Sequence, residues 1–487
     1  MKTFDVITAE LEAGATTCER ITEGYLQAIQ RGKHLNAFLD VYTEQALSQA
    51  RAVDQKRNNG SAGSLAGMVV ALKDVISVRN ERLTCGSRIL EQFVPPYDAT
   101  VVARLRSADA VIIGKNNLDE FAMGSSTEHS AFGRVKLPQD ESRVPGGSSG
   151  GSAVAVKAGM ATASLGSDTG GSIRQPAAFT GIVGVKPTYG RVSRYGLVAF
   201  ASSFDQVGPM ALNVKDAARV LAAIAGHDER DSTTSDVRVP DYLTSLTQDV
   251  KGLTVGLPKE YFGFALQKEV REAIERMVDV LRSNGAVIRE ISLPHTEYAI
   301  AAYYVLVTAE ASSNLARFDG MRYGRRAKDA GSGSDTSTRS RTEGFGPEVK
   351  RRIMLGSYVL SAGYYDQYYR KGQKVRRLIQ EDFHKAFSTV DCLVTPTTPS
   401  TAFKAGEKIS DPLEMYLSDV FTTSANLAGI PGMSIPVGED AQGLPIGLQV
   451  ITKHFNEATM FRVADFLEHA GQSAGNRTET GTQRTKP

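Results

Sequence analysis

Cysteine and histidine are both scarce in this chain of 487 residues. Its three cysteines, Cys18, Cys85 and Cys392, lie far apart and show no Cys-x-x-Cys spacing. Its seven histidines form no His-x-x-x-His or His-x-His pair. Disulfide-rich scaffolds and the common zinc sites depend on such pairs. We therefore expect neither a disulfide framework nor a metal site in this chain.

An excess of one charge and long apolar runs are also lacking. Lys and Arg total 56 against 54 Asp and Glu, which leaves a formal net charge of +2. A dedicated nucleic-acid-binding protein usually has a much larger basic excess. No apolar run approaches the roughly 18 residues that a membrane-spanning helix needs, and residues 1–6 begin no apolar signal segment. The sequence therefore predicts a cytoplasmic protein that does not contact a membrane, and its overall charge indicates no polyanion partner.

Strand and helix patterns alternate through most of the chain. Short apolar stretches predict strands over residues 68–72, 110–114, 161–165, 253–257, 286–291, 392–395 and 447–451. Helical spacing predicts helices over residues 99–107, 149–158, 267–283, 377–387 and 457–469. This alternation predicts an α/β fold, with a single large mixed, mostly parallel sheet covered by helices on both faces.

The chain divides into three predicted regions. Residues 1–60 have helical spacing and are expected to pack as helices on the core, which residues 61–469 form. Residues 470–487 are expected to be a disordered tail, because they bury too little to offset the entropy of ordering. Residues 330–346 are rich in Gly, Ser, Thr and Arg, and the sequence predicts a mobile loop there without deciding its order.

A first glycine-rich loop contains Ser148. Residues 146–152 read Gly-Gly-Ser-Ser-Gly-Gly-Ser, which is compatible with a flexible turn or with a phosphate cradle. No lysine follows the glycines as a P-loop requires. Pro145 argues against the strand that precedes a dinucleotide-binding loop.

A second glycine-rich loop ends at Ser172. Residues 168–172 read Asp-Thr-Gly-Gly-Ser. Gly170 and Gly171 have no Cβ, so their backbone N–H groups can converge on one point, as in an oxyanion hole. An ordinary Gly-Gly turn is the alternative reading of this loop.

A serine nucleophile needs a group that removes its proton. Lys73 follows the apolar residues 67–72, which would carry it inward, and burial favours the neutral amine that a base requires. A solvated surface lysine is the alternative. His129 is the nearest histidine in sequence, but it lacks an accompanying Asp motif and is interpreted as a loop residue.

Taken together, these motifs resemble the amidase signature family. The matching runs are residues 143–152 and 166–177. The resemblance implies that Ser172 is the acyl-forming nucleophile, that Ser148 is a bridging serine in a cis peptide, and that Lys73 is the base. It also implies oxyanion donors at Thr169, Gly170 and Gly171.

Within that family the chain is most similar to the glutamine-hydrolysing subunits of tRNA-dependent amidotransferases. The segments that carry this similarity are residues 303–305, 309–315, 317–324, 348–353, 363–366, 411–413 and 426–432. Free glutamine is a zwitterion, so a selective pocket should offer it one cation and one anion. The resemblance assigns these two roles to Arg352 and Asp419, with Tyr303 as a further pocket residue. From the residues alone, a surface arginine and a helix-face aspartate are the alternatives.

The resemblance also implies a reaction shared between the A, B and C subunits of one complex. This chain would hydrolyse glutamine and release ammonia. The B subunit would use the ammonia, with ATP and Mg²⁺, to amidate misacylated Glu-tRNA(Gln) or Asp-tRNA(Asn), and the small C subunit would bind alongside. ATP, Mg²⁺ and most tRNA contacts would belong to the B subunit, so no cofactor is expected here. A stand-alone hydrolase of another small amide and a non-catalytic scaffold remain open alternatives.

Three residues depart from the family pattern, and one of them, His129, stands where asparagine is frequent. Val75 replaces an asparagine that is common after Lys-Asp, which puts the polar contacts near Lys73 in doubt. Asp109 stands before a predicted strand, where glycine is usual.

Overall fold

The computed structural model describes residues 1–328 and 331–480. Its strands are β1 (Phe38–Val41), β2 (Val69–Lys73), β3 (Val111–Asn116), β4 (Ala163–Asp168), β5 (Val183–Lys186), β6 (Gln206–Ala211), β7 (Thr254–Pro258), β8 (Val287–Ile291), β9 (Cys392–Pro396), β10 (Gly432–Glu439) and β11 (Pro445–Thr452). Its helices are α1 (Phe4–Glu12), α2 (Cys18–Arg31), α3 (Thr43–Asn58), α4 (Thr100–Ser107), α5 (Gly150–Lys157), α6 (Arg174–Thr180), α7 (Val214–Ile224), α8 (Lys259–Phe262), α9 (Lys268–Ser283), α10 (Ala299–Leu315), α11 (Ser334–Gly344), α12 (Pro347–Val359), α13 (Lys371–Ala386), α14 (Pro412–Leu417), α15 (Thr423–Ala428) and α16 (Glu457–Thr480).

These strands join one sheet in the order β1-β3-β2-β4-β6-β5-β10-β11-β9-β7-β8. Four pairings are parallel, those of β2 with β3 and β4 and those of β7 with β8 and β9. The other six are antiparallel. The single mixed sheet is confirmed, but the expectation that it is mostly parallel is wrong. Helical crossovers such as β7-α9-β8 give parallel pairs, whereas the short turn between β10 and β11 can join only antiparallel strands.

Both faces of the sheet are covered. Strands β2, β3, β4, β5, β6, β9 and β11 are buried at every residue. Successive side chains of a strand point to opposite faces, so complete burial requires packing on each side. Helices α6 and α16 both pack against β10 and β11. The α/β class predicted from the sequence is therefore confirmed.

The N-terminal segment contributes more than helices. Besides α1, α2 and α3 it contains β1, which pairs antiparallel with β3 at one edge of the sheet. Phe4, Ile7 and Leu11 of α1 are buried in the main core. The division of the chain into separate regions remains a prediction.

The segment predicted to be mobile and the tail predicted to be disordered both contain helix. Helix α11 lies within residues 330–346, of which residue 330 is outside the described residues, and polar side chains anchor it. Thr336 Oγ1 donates to the Gly331 carbonyl at 2.7 Å, and Ser340 Oγ accepts from the Ala327 N–H at 3.0 Å. Helix α16 continues to Thr480, and residues 481–487 of the predicted tail lie outside the described residues.

Asp109 has the left-handed backbone conformation that explains why glycine is usual there. Its φ is 63°, a value that Asp tolerates better than most residues. Its carboxylate accepts from the Gly63 N–H at 2.7 Å and from Lys56 Nζ at 2.6 Å. These local bonds compensate for the missing glycine.

Candidate active site

Lys73 ends the buried strand β2 and is itself completely buried. Its Nζ lies 2.7 Å from Ser148 Oγ, 2.9 Å from Ser149 Oγ and 3.4 Å from the Ser167 carbonyl oxygen. Burial lowers the pKa of Lys73 to about 7, although the Asp119 and Asp168 carboxylates act in the opposite direction. A large fraction of this amine is therefore neutral near pH 7, as a base requires.

Ser148 is fixed by contacts on both sides of its peptide. The Gly147–Ser148 peptide bond is cis. The Gly147 N–H donates to Gln175 Oε1 at 2.9 Å, and the Ser148 carbonyl accepts from the Asp119 N–H at 3.3 Å. A Cβ on Gly147 would overlap the Asp119 carboxylate, so this close approach requires glycine.

The loop of Ser172 lies directly against the loop of Ser148. The Ser149 N–H donates to the Ser172 carbonyl at 3.2 Å. Ser172 retains 8% of its surface exposed, whereas Lys73 and Ser148 retain none. Of these three side chains, Ser172 is therefore the one that a substrate can reach.

The residues before Ser172 present unused backbone donors. Among the hydrogen bonds of the described chain, none uses the N–H of Gly170, Gly171 or Ser172. Thr422 Oγ1 donates to the Gly170 carbonyl at 2.7 Å, and Thr169 Oγ1 donates to Asp205 Oδ1 at 2.7 Å. This arrangement suits the stabilisation of an oxyanion.

Glycine is required at both positions of this loop. A Cβ on Gly170 would lie 2.6 Å from the hydroxyl of Tyr303, and one on Gly171 would overlap Thr422. Gly171 also has a φ of 145°, which side-chain-bearing residues rarely adopt.

A buried ion pair that sequence reasoning missed holds the same loop. Asp168 and Arg174, both completely buried, are joined by two contacts of 3.0 Å. Arg174 Nη1 also donates to the Thr422 carbonyl at 3.0 Å, and Asn426 Nδ2 donates to Asp168 at 2.9 Å. Burial raises the pKa of Asp168, but the charge and hydrogen bonds of Arg174, together with Lys186 and Asn426, outweigh burial and lower that pKa to about 2. The sequence signal that could have revealed this ion pair is an acidic residue and a basic residue, Asp168 and Arg174, on either side of residues 170–172.

Arg352 is a buried cation on α12. Its Nε donates to Glu348 Oε1 at 2.8 Å, and its guanidinium lies 5.2 Å from the centre of the Tyr304 ring and 5.5 Å from that of Tyr416. Burial alone lowers the pKa of Arg352, but Tyr304 and Glu348 raise it overall. In the part of the chain that the structure describes, Nη1 and Nη2 make no hydrogen bond, so both remain available to a ligand.

Asp419 is a buried anion beside the Ser172 loop. Its Oδ2 accepts from Ser125 Oγ at 2.5 Å, whereas its Oδ1 has no partner among the described residues. A Cβ on Gly171 would lie 3.0 Å from that oxygen. Burial raises the pKa of Asp419 to about 7. An unpartnered buried oxygen is costly, and a ligand cation would satisfy it.

All nine predicted site residues thus lie at two adjoining loops and the walls around them. Tyr303 of α10 is buried against Gly170. His129 takes no part in the contacts of Lys73, and its backbone N–H donates to Asp119 Oδ1 at 3.1 Å. Val75 is buried, and its N–H donates to the Lys73 carbonyl at 2.8 Å. The polar contacts of the Lys73 amine come from Ser148, Ser149 and Ser167 instead.

Clustered metal ligands and membrane-spanning helices are both absent from the described ranges. Between residues 1 and 328 and between 331 and 480, no three His, Cys, Asp or Glu side chains cluster so as to hold a metal ion. Over the same ranges, no helix combines the length and apolar character needed to cross a bilayer.

Most of this chain matches one known family. The family model described as Amidase matches residues 20–461, and the chain belongs to the amidase family. It is 57% identical over 470 residues to the A subunit of glutamyl-tRNA(Gln) amidotransferase from Koribacter versatilis, covering 96% of this chain and 98% of the relative. It is also 57% identical to the A subunit of the same enzyme from Carboxydothermus hydrogenoformans, with 94% of each covered.

A solved structure agrees with this relationship. The crystal structure of the glutamyl-tRNA(Gln) amidotransferase A subunit from Thermotoga maritima superposes with a TM-score of 0.77 at 44% identity. The match covers 92% of this chain and 90% of that one. The fold is therefore that of the amidase family over nearly the full length.

Proposed function

We propose that this chain is the glutamine-hydrolysing subunit of a tRNA-dependent amidotransferase. The observation that carries the proposal is a pair of buried opposite charges beside the Ser172 loop. Arg352 has unused Nη groups, and Asp419 has an unpartnered oxygen. A free amino acid carries the complementary carboxylate and ammonium, and charge-assisted hydrogen bonds to both would select it over a neutral amide. The close relationship to amidotransferase subunits supports the same conclusion.

The proposed chemistry begins with a proton relay. Neutral Lys73 takes a proton from Ser148 while Ser148 takes one from Ser172, and Ser172 Oγ attacks the carboxamide carbon of glutamine. The N–H groups of the loop of Thr169, Gly170 and Gly171 stabilise the oxyanion, where one donor is commonly worth about 10²–10³ in rate.

Collapse of the tetrahedral intermediate then breaks the C–N bond. The leaving nitrogen takes up the proton that Lys73 holds, through Ser148, and departs as ammonia. Water attacks the resulting glutamyl ester by the same relay, which releases glutamate and restores Ser172. Arg352 binds the substrate carboxylate, Asp419 binds its ammonium, and Tyr303 closes the pocket beside Gly170.

The proposal includes the other subunits of the complex. The B subunit binds ATP, Mg²⁺ and most of the misacylated tRNA, the C subunit associates with both, and the complex acts in the cytoplasm. The similarity of this chain to A subunits of glutamyl-tRNA(Gln) amidotransferase supports a multi-subunit amidotransferase. An assay of glutamine hydrolysis with and without the B and C subunits, ATP and misacylated tRNA checks this part of the proposal. Failure of those additions to change the rate would contradict it.

Replacing Arg352 tests whether the substrate is glutamine, bound through its carboxylate. Arg352→Ala should raise KM for glutamine about 10- to 100-fold, because a hydrogen bond to a charged group is worth about 1.5–3 kcal/mol. Acylation of Ser172 by a small activated ester that lacks the amino-acid charges should keep its rate. Arg351→Ala, which removes a charge from the half-exposed neighbour, is the control and should leave both rates unchanged. Unaltered glutamine kinetics in Arg352→Ala would instead favour a stand-alone hydrolase of another small amide.

A further inference from the structure

Basic side chains are concentrated on one loop, although the net charge of the whole chain is only +2. The loop between α10 and α11 holds five cations, Arg317, Arg322, Arg325, Arg326 and Lys328, against two acidic residues, Asp319 and Asp329. The last four of these cations are exposed at the surface. A nearly neutral chain therefore carries a local excess of three positive charges on this loop.

Three of these cations are not neutralised within the described chain. The Asp319 carboxylate accepts from the N–H groups of Met321 and Arg322 at 2.8 and 2.9 Å. Arg325, Arg326 and Lys328 form no ion pair with a described residue, whereas the N–H and the charge of Arg322 help to lower the pKa of Asp319. Those three unpaired charges therefore remain available to an external anion.

The loop forms one wall of a groove. A cavity of about 620 Å³ lies between Arg325, Arg326 and Lys328 on one side and Gln92 and Phe93 on the other. Phe93 exposes 40% of its surface there. Glu91 also lines this basic groove, but its carboxylate is paired with Arg88 at 2.5 Å.

The backbone of the loop is anchored at two points. The Arg325 N–H donates to the Ile89 carbonyl at 2.6 Å, and the Ala327 N–H donates to Ser340 Oγ at 3.0 Å. The cations of the basic groove are therefore presented from a fixed backbone, which reduces the ordering cost of binding.

We propose that the basic groove binds an unpaired RNA strand, with its phosphates on Arg325, Arg326 and Lys328 and a base stacked on Phe93. Cations beside an exposed aromatic ring are the combination by which proteins hold single-stranded nucleic acid. An acidic protein surface would instead need an apolar centre to dock on. Of the described residues that line the groove, Ile89 is fully buried, and Phe93 is the one that exposes a large apolar side chain. In naming the RNA as part of a misacylated tRNA, the inference rests on the proposed function, whereas binding of RNA itself does not.

The test measures binding of a labelled short single-stranded RNA and of an unmodified tRNA transcript to the full chain, by fluorescence anisotropy at several salt concentrations. The double variant Arg325→Ala with Arg326→Ala should weaken binding at least 10-fold. It should also reduce the slope of log affinity against log salt by about 1.4, since each phosphate contact on a single strand contributes about 0.7. Phe93→Ala should weaken binding about 5- to 100-fold with an unchanged slope.

A matched control removes the same charge elsewhere. Lys268→Ala with Arg282→Ala takes two exposed cations from α9 and should leave RNA affinity and salt slope unchanged. An equal loss of affinity in the control and groove variants would overturn the inference, as would absence of RNA binding by the unaltered chain at low salt. A groove variant that binds RNA normally but no longer associates with the B subunit would identify an acidic protein as the occupant and would overturn it too.

Glutamine hydrolysis measured on the same preparations separates this inference from the proposed function. If the groove variants hydrolyse glutamine normally and lose RNA binding, both statements hold. Loss of glutamine specificity in Arg352→Ala bears on the active site alone. In the reconstituted complex, the groove variant should raise KM for misacylated tRNA and leave KM for glutamine unchanged.

Discussion

Lys73 and Asp419 are two buried groups whose pKa values both lie at about 7. Burial disfavours the charged form of each, and it therefore lowers the pKa of the amine and raises that of the carboxyl. In the proposed mechanism both groups must be deprotonated, Lys73 to act as base and Asp419 to bind the ammonium of the substrate. The two residues should consequently titrate together in catalysis.

We expect kcat/KM for glutamine to rise with pH and to level off above about pH 7. In a plot of log kcat/KM against pH, the limiting slope on the acid side should be about 2. The value of kcat/KM reports the ionisation of the free enzyme, and two protons must leave. Acylation of Ser172 by a neutral ester does not need Asp419, so the logarithm of the acylation rate should rise with pH with a slope of about 1. Asp419→Asn should bring the glutamine profile to a slope of about 1 as well. A slope of about 1 for both substrates in the unaltered enzyme would contradict the role of Asp419.

The sequence predicted these residues with unequal physical support. Lys73, Ser148 and Ser172 lie in short motifs whose chemistry can be argued locally. Arg352 and Asp419 lie far from those motifs along the chain, and only the resemblance assigned them. The unpartnered oxygen of Asp419 depends on how α14, α15 and the Ser172 loop meet, and no local sequence pattern carries that information.

Among the elements, the pair of Asp168 and Arg174 fixes the end of β4 to the start of α6. Removing one partner of a buried ion pair leaves an uncompensated charge, which commonly costs about 3–5 kcal/mol. We therefore expect Asp168→Ala to lower the free energy of unfolding by about that amount in a denaturant titration.

An exposed ion pair provides the comparison. Asp5 contacts Lys215 at 2.7 Å and Arg219 at 2.5 Å, and half of its side chain is exposed. Asp5→Ala should therefore lower the free energy of unfolding by only about 0–1 kcal/mol. Equal effects of the two substitutions would show that the Asp168 pair does not hold the Ser172 loop.

Strands differed in how well their sequences revealed them. Apolar stretches predict seven of the strands, namely β2, β3, β4, β7, β8, β9 and β11. β6 and β10 were missed because they contain Gly and Pro, Gly208 and Pro209 in one and Pro436 and Gly438 in the other, which ordinarily argue against a strand. β1 was missed because it is a short edge strand in a segment with helical spacing. Because these strands were not predicted, the antiparallel pairing at the centre of the sheet was not predicted either.

For the molecule as a whole, burial of all three cysteines predicts an inert set of thiols. Cys18 is 1% exposed and Cys85 and Cys392 are 0% exposed, and burial raises the pKa of Cys18 and Cys392 to about 12. A thiolate is the reactive form, so a thiol-specific chromogenic reagent should label none of them rapidly in the folded protein. All three should react after unfolding in guanidinium. One rapidly labelled cysteine, or loss of glutaminase activity on alkylation, would speak against this expectation.

Charge at the scale of the molecule was also only partly visible in the sequence. The total of +2 correctly describes the composition, but an average does not show where the charges lie. The cations of residues 317–328 are neighbours along the chain, so their clustering can be seen in the sequence. The position of Arg325, Arg326 and Lys328 on the wall of a groove opposite Phe93 depends on tertiary structure, and the sequence does not reveal it.

The position of β10 has a consequence for synthesis of the chain. This strand, formed by Gly432–Glu439, is inserted between β5, formed by Val183–Lys186, and β11. The nucleophile loop precedes it by some hundreds of residues, and such distant pairings form slowly because the intervening chain must first be ordered. A ribosome must therefore translate beyond residue 439 before β10 can join the sheet beside the serine. Incomplete nascent polypeptides should consequently release no ammonia in the cell.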